Sequence, residues 1–238
     1  MILLFAPAKN MAPDDGYFGP LTSPLFQQEA REIRTWLESL DVADLKAVHK
    51  VSDKLARQAY EQLHHPIPAS PALLSYKGIA YQYMAPHLFS DEMNAYVSKH
   101  LRILSAVYGY LRPFDAIVPY RLEMQAKTPF QLYSYWSGRI AALIQDEPVV
   151  NLASEEYARV LRRHVDLVDV RFCERDGDKL KEKGVYVKMA RGAMVRWMAE
   201  ENIEAVEDMK RFDGLGYAYD AAASTPSCLV FVRQKEKS

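Results

Sequence analysis

Two cysteines in 238 residues, no long apolar run and a formal net charge of only -1 each exclude a class of protein. Cys173 and Cys228 stand far apart and outside any C-x-x-C arrangement. That excludes a disulfide scaffold and fits a reduced compartment. No stretch approaches the roughly 20 apolar residues of a membrane span. The opening run Ile2-Leu3-Leu4-Phe5 is too short for a signal segment, follows no basic stretch and stops at Pro7. The expected location is therefore the cytoplasm, with no membrane partner. The six histidines form no H-E-x-x-H and no facial-triad spacing, and neither a G-x-S-x-G elbow nor a G-x-x-x-x-G-K loop occurs. No metal, no cofactor and no catalytic residue is expected from these patterns.

What is present is the composition of a globular chain, 49% hydrophobic and 26% charged. Ile2 to Phe5 has the wholly apolar pattern of a strand buried on both faces. Residues 10–24, rich in proline and glycine, read as a loop. Apolar residues recur at helical spacing from Gln27 to Leu40, and a second helical region runs from Asp41 to about Leu63. Pro66, Pro68 and Pro71 then interrupt the chain. A helix capped by Ser90 is expected to carry its core stripe through Met93, Tyr96, Val97, Leu101, Leu104 and Tyr108. Further strands are expected at Pro148 to Leu152, Val165 to Phe172, Val185 to Val187, Tyr217 to Tyr219 and Leu229 to Val232. Helices are expected to begin after Ser154 and at Arg191. This alternation predicts a mixed α/β (α+β) fold: one compact domain over residues 1–238, a central sheet flanked by helices, and a helix-rich middle lobe at about 27–145.

The near-neutral total hides segregated charge. Residues 159–196 hold eleven Lys or Arg against six Asp or Glu, and residues 199–220 hold two against seven. Residues 76–139 hold seven basic against four acidic residues, and Arg102, Arg112 and Arg121 there lie among Tyr108, Tyr110 and Tyr120. Basic groups interleaved with aromatics suit phosphates and bases. The bland alternative, a solvated hairpin flank, fits the lysines at 179–183 better.

Several segments resemble the YaaA peroxide-stress family: Ala6-Pro7-Ala8-Lys9, Ser52-Asp53-Lys54-Leu55-Ala56, the long stretch from His100 to Met124, Val150 to Tyr157, Lys188 to Gly192 with Arg196, and Gly216-Tyr217 with Asp220. They keep one order from end to end of the chain. The departures are Asn10-Met11 and the proline-rich loop at 12–24. The resemblance implies a cytosolic protein that limits iron-dependent damage under peroxide stress, and a surface helix-hairpin-helix suited to duplex DNA.

The residues themselves offer a place for such a hairpin at Tyr108-Gly109-Tyr110, where glycine would let a phosphate approach; a plain helix C-cap is the alternative. Lys188, Arg191 and Arg196 at an expected strand-to-helix junction form the best anion site, although Arg191 and Arg196 are too far apart to share one helical face. Lys9, Lys54 and Lys77 are candidates of the same kind, and Asn151, at the end of a buried strand, is a minor one. Two functions follow. One is a DNA-binding protein that holds phosphates of duplex or distorted DNA with Lys9, Lys54, Lys77, Arg102, Gly109, Arg112, Arg121, Lys188, Arg191 and Arg196. The other is an enzyme on a small anionic substrate, with Lys9, Lys54, Asn151, Lys188 and Arg191 around one cleft. An open groove would favour the first, and a closed pocket holding a carboxylate such as Asp53 or Asp220 the second. Oligomeric state is left open.

Overall fold

The computed structural model describes every residue except 15, 18, 66, 145, 146 and 235–238. Pro66, one of the three prolines expected to interrupt the chain, lies outside the described residues. The central sheet has eight strands: β1 (Ile2–Phe5), β2 (Leu101–Ser105), β3 (Gly109–Leu111), β4 (Val149–Asn151), β5 (Leu167–Asp176), β6 (Lys179–Lys181), β7 (Ala218–Tyr219) and β8 (Cys228–Gln234). Their order is β7-β8-β5-β4-β1-β2-β3, and β6 also pairs with β5. The five strands from β8 to β2 run parallel, and the hairpin partners β3, β6 and β7 are antiparallel. Helices on both faces of a parallel sheet leave its strands no wet side. Accordingly Leu3 and Leu4 of the central strand are fully buried.

The expected mixed α/β class is what forms. The Gln27–Glu38 helix buries Ala30, Ile33 and Leu37. The helical region after Asp41 is two helices, Val42–His49 and Asp53–His64, parted where Lys50 turns left-handed at φ 51°. Ser90 caps Asp91–His100, its Oγ accepting the N–H of Met93 at 3.3 Å.

Two expectations are corrected. The Ser90 helix stops at His100, and Leu101 to Ser105 become a strand beside β1 in the register Leu3↔Leu101. The run Leu-Arg-Ile-Leu-Ser suits a buried strand as well as a helix stripe, and pairing with the open edge of β1 decides it. Ser105 Oγ then accepts the N–H groups of Val107 and Tyr108, and Gly109 at φ +69° leads the chain back into β3. A β-hairpin therefore stands where a hairpin between helices was expected. Tyr108, Tyr110 and Tyr120, expected to interleave with a basic surface, are buried in the core.

Second, Val185 to Val187 form no strand. They are the first turn of one long helix, Gly184–Glu200, whose buried Val187, Ala190, Met194 and Met198 keep a three-to-four spacing. Lys188, Arg191 and Arg196 thus lie inside this helix, not at its start. Gly192 brings the helix against the short Ile79–Met84 helix: a Cβ at Gly192 would lie 1.9 Å from the Ala80 carbonyl oxygen.

Candidate functional site

After β1 the chain crosses to β2 on one side of it, and later returns to place β4 on the other side. The connections leaving the C-terminal ends of β1 and β4 therefore diverge, and such a switch point is where open α/β sheets form a crevice. A cavity of about 470 Å³ lies there. Residues 5–10 after β1 and Leu152, Ser154, Glu156 and Tyr157 after β4 line it. The segments 77–81 and 120–123 and the long helix supply the remaining walls. A two-residue ladder pairs Asn10 with Lys77 and holds the 77–81 segment in place. A second cavity of about 330 Å³ shares Lys9, Asn10 and Arg121 with the first and continues along Leu55, Gln58, Ala59 and Gln62 of the Asp53–His64 helix.

Five of the nine basic candidates meet in the main cavity: Lys9, Lys77, Arg121, Lys188 and Arg191. Lys188 and Arg191 are three residues apart on the long helix and so share a face. Lys77 donates to the carbonyl of Leu74 at 2.9 Å, and Lys9 pairs with Glu123 at 2.6 Å. The two arginines differ from the other half-buried arginines of the described residues. Arg34, Arg112, Arg175, Arg196 and Arg233 each meet a carboxylate, and Arg102 is held by the carbonyls of Ser98 and Leu101. Arg121 and Arg191 have a buried Nε without a hydrogen-bond partner, and neither forms an ion pair with a described residue. Burial lowers the pKa of Arg191, and the more distant charges of Glu182 and Asp169 offset this only in part. Burial and the Arg121 charge together push His49 down to about 4.

The other candidates lie elsewhere. Lys54 is exposed on the Asp53–His64 helix, outside both cavities. Arg102 sits over the Tyr110 ring at 5.9 Å. Gly109 is buried, and a Cβ there would meet Trp136 at 2.5 Å. Arg112 is locked on the fully buried Asp115, and Arg196 on Glu200 at 2.7 Å. Asn151 is buried, donating to Asp169 at 2.7 Å and accepting the N–H of Ala153 at 2.9 Å. The carboxylates expected for a closed pocket are placed away from it, with Asp53 on Lys46 and Asp220 on Arg175.

Two carboxylates that the sequence did not single out are in the cavity wall, Glu123 and Glu156. Burial pushes Glu123 up, but the hydrogen bond and charge of Lys9 outweigh it and the group ends lowered. Burial raises Glu156; the N–H of Gln125 opposes, and the charge of Glu123 adds to the rise. The available signal was position, because Glu156 follows strand β4 by five residues in a stretch already distinctive. Among the described residues no group of three or more His, Cys, Asp or Glu is placed to hold a metal, and no helix is long and apolar enough to cross a membrane.

The family described as peroxide stress protein YaaA matches residues 1–223. A UPF0246 protein of Agathobacter rectalis is 42% identical, over 98% of this chain and 99% of its own length. A UPF0246 protein of Lacticaseibacillus casei is 41% identical, with 98% and 99% covered. One of Lactiplantibacillus plantarum is 40% identical, with 98% and 100% covered.

Proposed function

The chain belongs to the YaaA peroxide stress protein family, and from that premise we propose that it serves the oxidative-stress response by holding phosphate groups of DNA in the cationic cleft at the ends of β1 and β4. The observation that carries this reading is that Arg121 and Arg191 alone among the half-buried arginines described have neither a carboxylate nor a carbonyl partner. A guanidinium stays charged, and leaving it half-buried without a partner is costly unless a ligand supplies the anion. Lys9 and Lys188, both exposed, extend the positive wall outwards. The second cavity, sharing Lys9 and Arg121, continues the cleft along the Asp53–His64 helix. Contacts of this kind fix a phosphate backbone without reading base sequence. Limiting iron-dependent damage to DNA is the service such binding would perform.

A salt titration of binding to duplex, bubbled and single-stranded DNA tests this reading. Each of Arg121→Gln and Arg191→Gln should weaken binding to unrelated sequences alike and reduce the slope of log affinity against log salt by about 1. Unchanged slopes in both variants would remove the cleft from the interface.

A second reading, an enzyme on a small phosphorylated substrate, is favoured by one observation: Glu156, with its raised pKa, faces the same cavity as the cations. A carboxyl shifted by burial beside an anion site is a candidate proton donor. Turnover of phosphorylated compounds that is lost in Glu156→Gln would establish it over the first.

A further inference from the structure

The cleft holds more than a phosphate requires. A cavity of about 470 Å³ is in the range of small-molecule sites, and a phosphate group would leave most of it empty. Much of its wall is apolar or aromatic, with Phe5, Tyr81 and Tyr157 all buried around it. Such a wall suits a flat ring.

Two carboxylates complete the wall, and a site for phosphate alone has no use for them, since they repel an anion. An ionised carboxylate only accepts hydrogen bonds. Glu123 already has Lys9 at 2.6 Å and Gln125 Nε2 at 3.4 Å. Glu156 accepts the backbone N–H of Gln125 at the long distance of 3.4 Å, the N–H of Met124 also acts on it, and it forms no ion pair with a described residue. It therefore retains acceptor capacity toward the cavity.

Cations, a ring-sized apolar space and an acceptor carboxylate match the three parts of one nucleotide. We propose that the cavity binds a single nucleotide unit, with its phosphate on Arg121, Lys188 and Arg191 and its heterocycle donating N–H groups to Glu156. This rests on the phosphate reading above and adds a ligand class to it. Because Glu156 accepts and does not donate, adenine, guanine and cytosine, which carry exocyclic amines, fit it. Uracil and thymine offer one ring N3–H flanked on both sides by carbonyl oxygens, so they can donate a single bond only by setting a carbonyl oxygen against the carboxylate. Glu156 is then the specificity-determining residue.

The test is calorimetric titration of the full chain with AMP, GMP, CMP, UMP and inorganic phosphate. At least one amino-bearing monophosphate should bind about tenfold more tightly than UMP or phosphate, the difference one charge-assisted hydrogen bond makes. Glu156→Gln, which adds a donor and removes one repelling charge, should raise the affinity for inorganic phosphate and for every nucleotide, and should raise it most for UMP, so that the preference for amino-bearing bases is lost. Equal affinity for all four nucleotides in the wild-type protein overturns the inference. So does absence of nucleotide binding, and if DNA affinity still responds to Arg121→Gln and Arg191→Gln, the phosphate reading survives that loss. If neither arginine variant alters DNA or phosphate binding, the phosphate reading itself falls.

Discussion

Arg191 and Arg196 are carried by one helix, five residues apart, and they have different surroundings: Arg191 lines the cavity without an ion pair to a described residue, whereas Arg196 is held by Glu200 at 2.7 Å. The two are therefore expected to behave differently on neutralisation. Arg191→Gln should weaken DNA binding at low salt by roughly tenfold and lower its salt slope by about 1. Arg196→Gln removes a surface i,i+4 pair and should change stability by no more than about 0.5 kcal/mol, leaving affinity as it was. Parallel salt titrations of the two variants check this, and equal losses would contradict the placement of the site.

Gly109 is a matter of folding and not of ligand contact. Its φ of +69° disfavours any side chain, and a Cβ would stand 2.5 Å from the Trp136 ring. That ring is itself fixed by a 2.9 Å bond from its indole N–H to the Ala106 carbonyl. Gly109→Val should cost about 2–5 kcal/mol from left-handed strain and overpacking together. Urea unfolding measures the loss, and the fraction that remains folded should bind DNA with wild-type affinity.

Arg112 holds a buried charge in place. Asp115 is fully buried and accepts from Thr22 Oγ1 at 2.6 Å, from the Arg112 backbone N–H at 2.8 Å, and from the Arg112 guanidinium at 2.9 and 3.0 Å. Arg112→Ala leaves that carboxylate short of its counter-charge and should destabilise by about 3–5 kcal/mol. Arg112→Lys should restore only part of this, because an ammonium lacks the rigid fork whose Nε and Nη2 both reach Asp115 Oδ1. Thermal melts of the two variants, ranked wild type, Lys, Ala, are the check.

These cases show what was legible in the sequence. Two of the buried strands were, because Ile2 to Phe5 and Val149-Val150 are apolar without alternation and lie between loops, but their order and parallel direction were not. The five basic residues now found in the cavity were all among the candidates, four of them on the segments that carry the family resemblance and Lys77 outside them. The hairpin at Gly109 was not legible, because Leu101, Leu104 and Tyr108 fit a helical stripe until β1 offers an edge to pair with. Nor was the division of the arginines into paired and unpaired. Which carboxylate reaches which guanidinium depends on contacts distant in sequence, as with Arg233 on Glu174 and Arg175 on Asp220. Glu156 went unnoticed for a similar reason: at the start of a short helix it resembles any first-turn acid, and only the fold puts it in the cavity.

Glu156 gives the last prediction. Its carboxyl is raised above its ordinary value of 4.5 by burial first and by Glu123 second, against the opposing N–H groups of Gln125 and Met124 and the charge of Lys9. A raised carboxyl binds its proton more tightly in the folded than in the unfolded chain, so its contribution favours folding below the ordinary value and is lost as pH rises through the raised one. At neutral pH the ionised group thus costs stability, and Glu156→Gln removes that cost. The variant should melt roughly 1–3 °C above wild type at pH 7, and the difference should vanish as the pH falls below about 4, where both carry a neutral side chain. The amine-accepting role requires the opposite state, the ionised one. Preference for amino-bearing nucleotides should therefore fade in wild type over the same acid range in which its stability deficit disappears. Melting curves and nucleotide titrations at matched pH values test the linkage. A stability difference that is independent of pH would mean that Glu156 acts through packing and not through its charge.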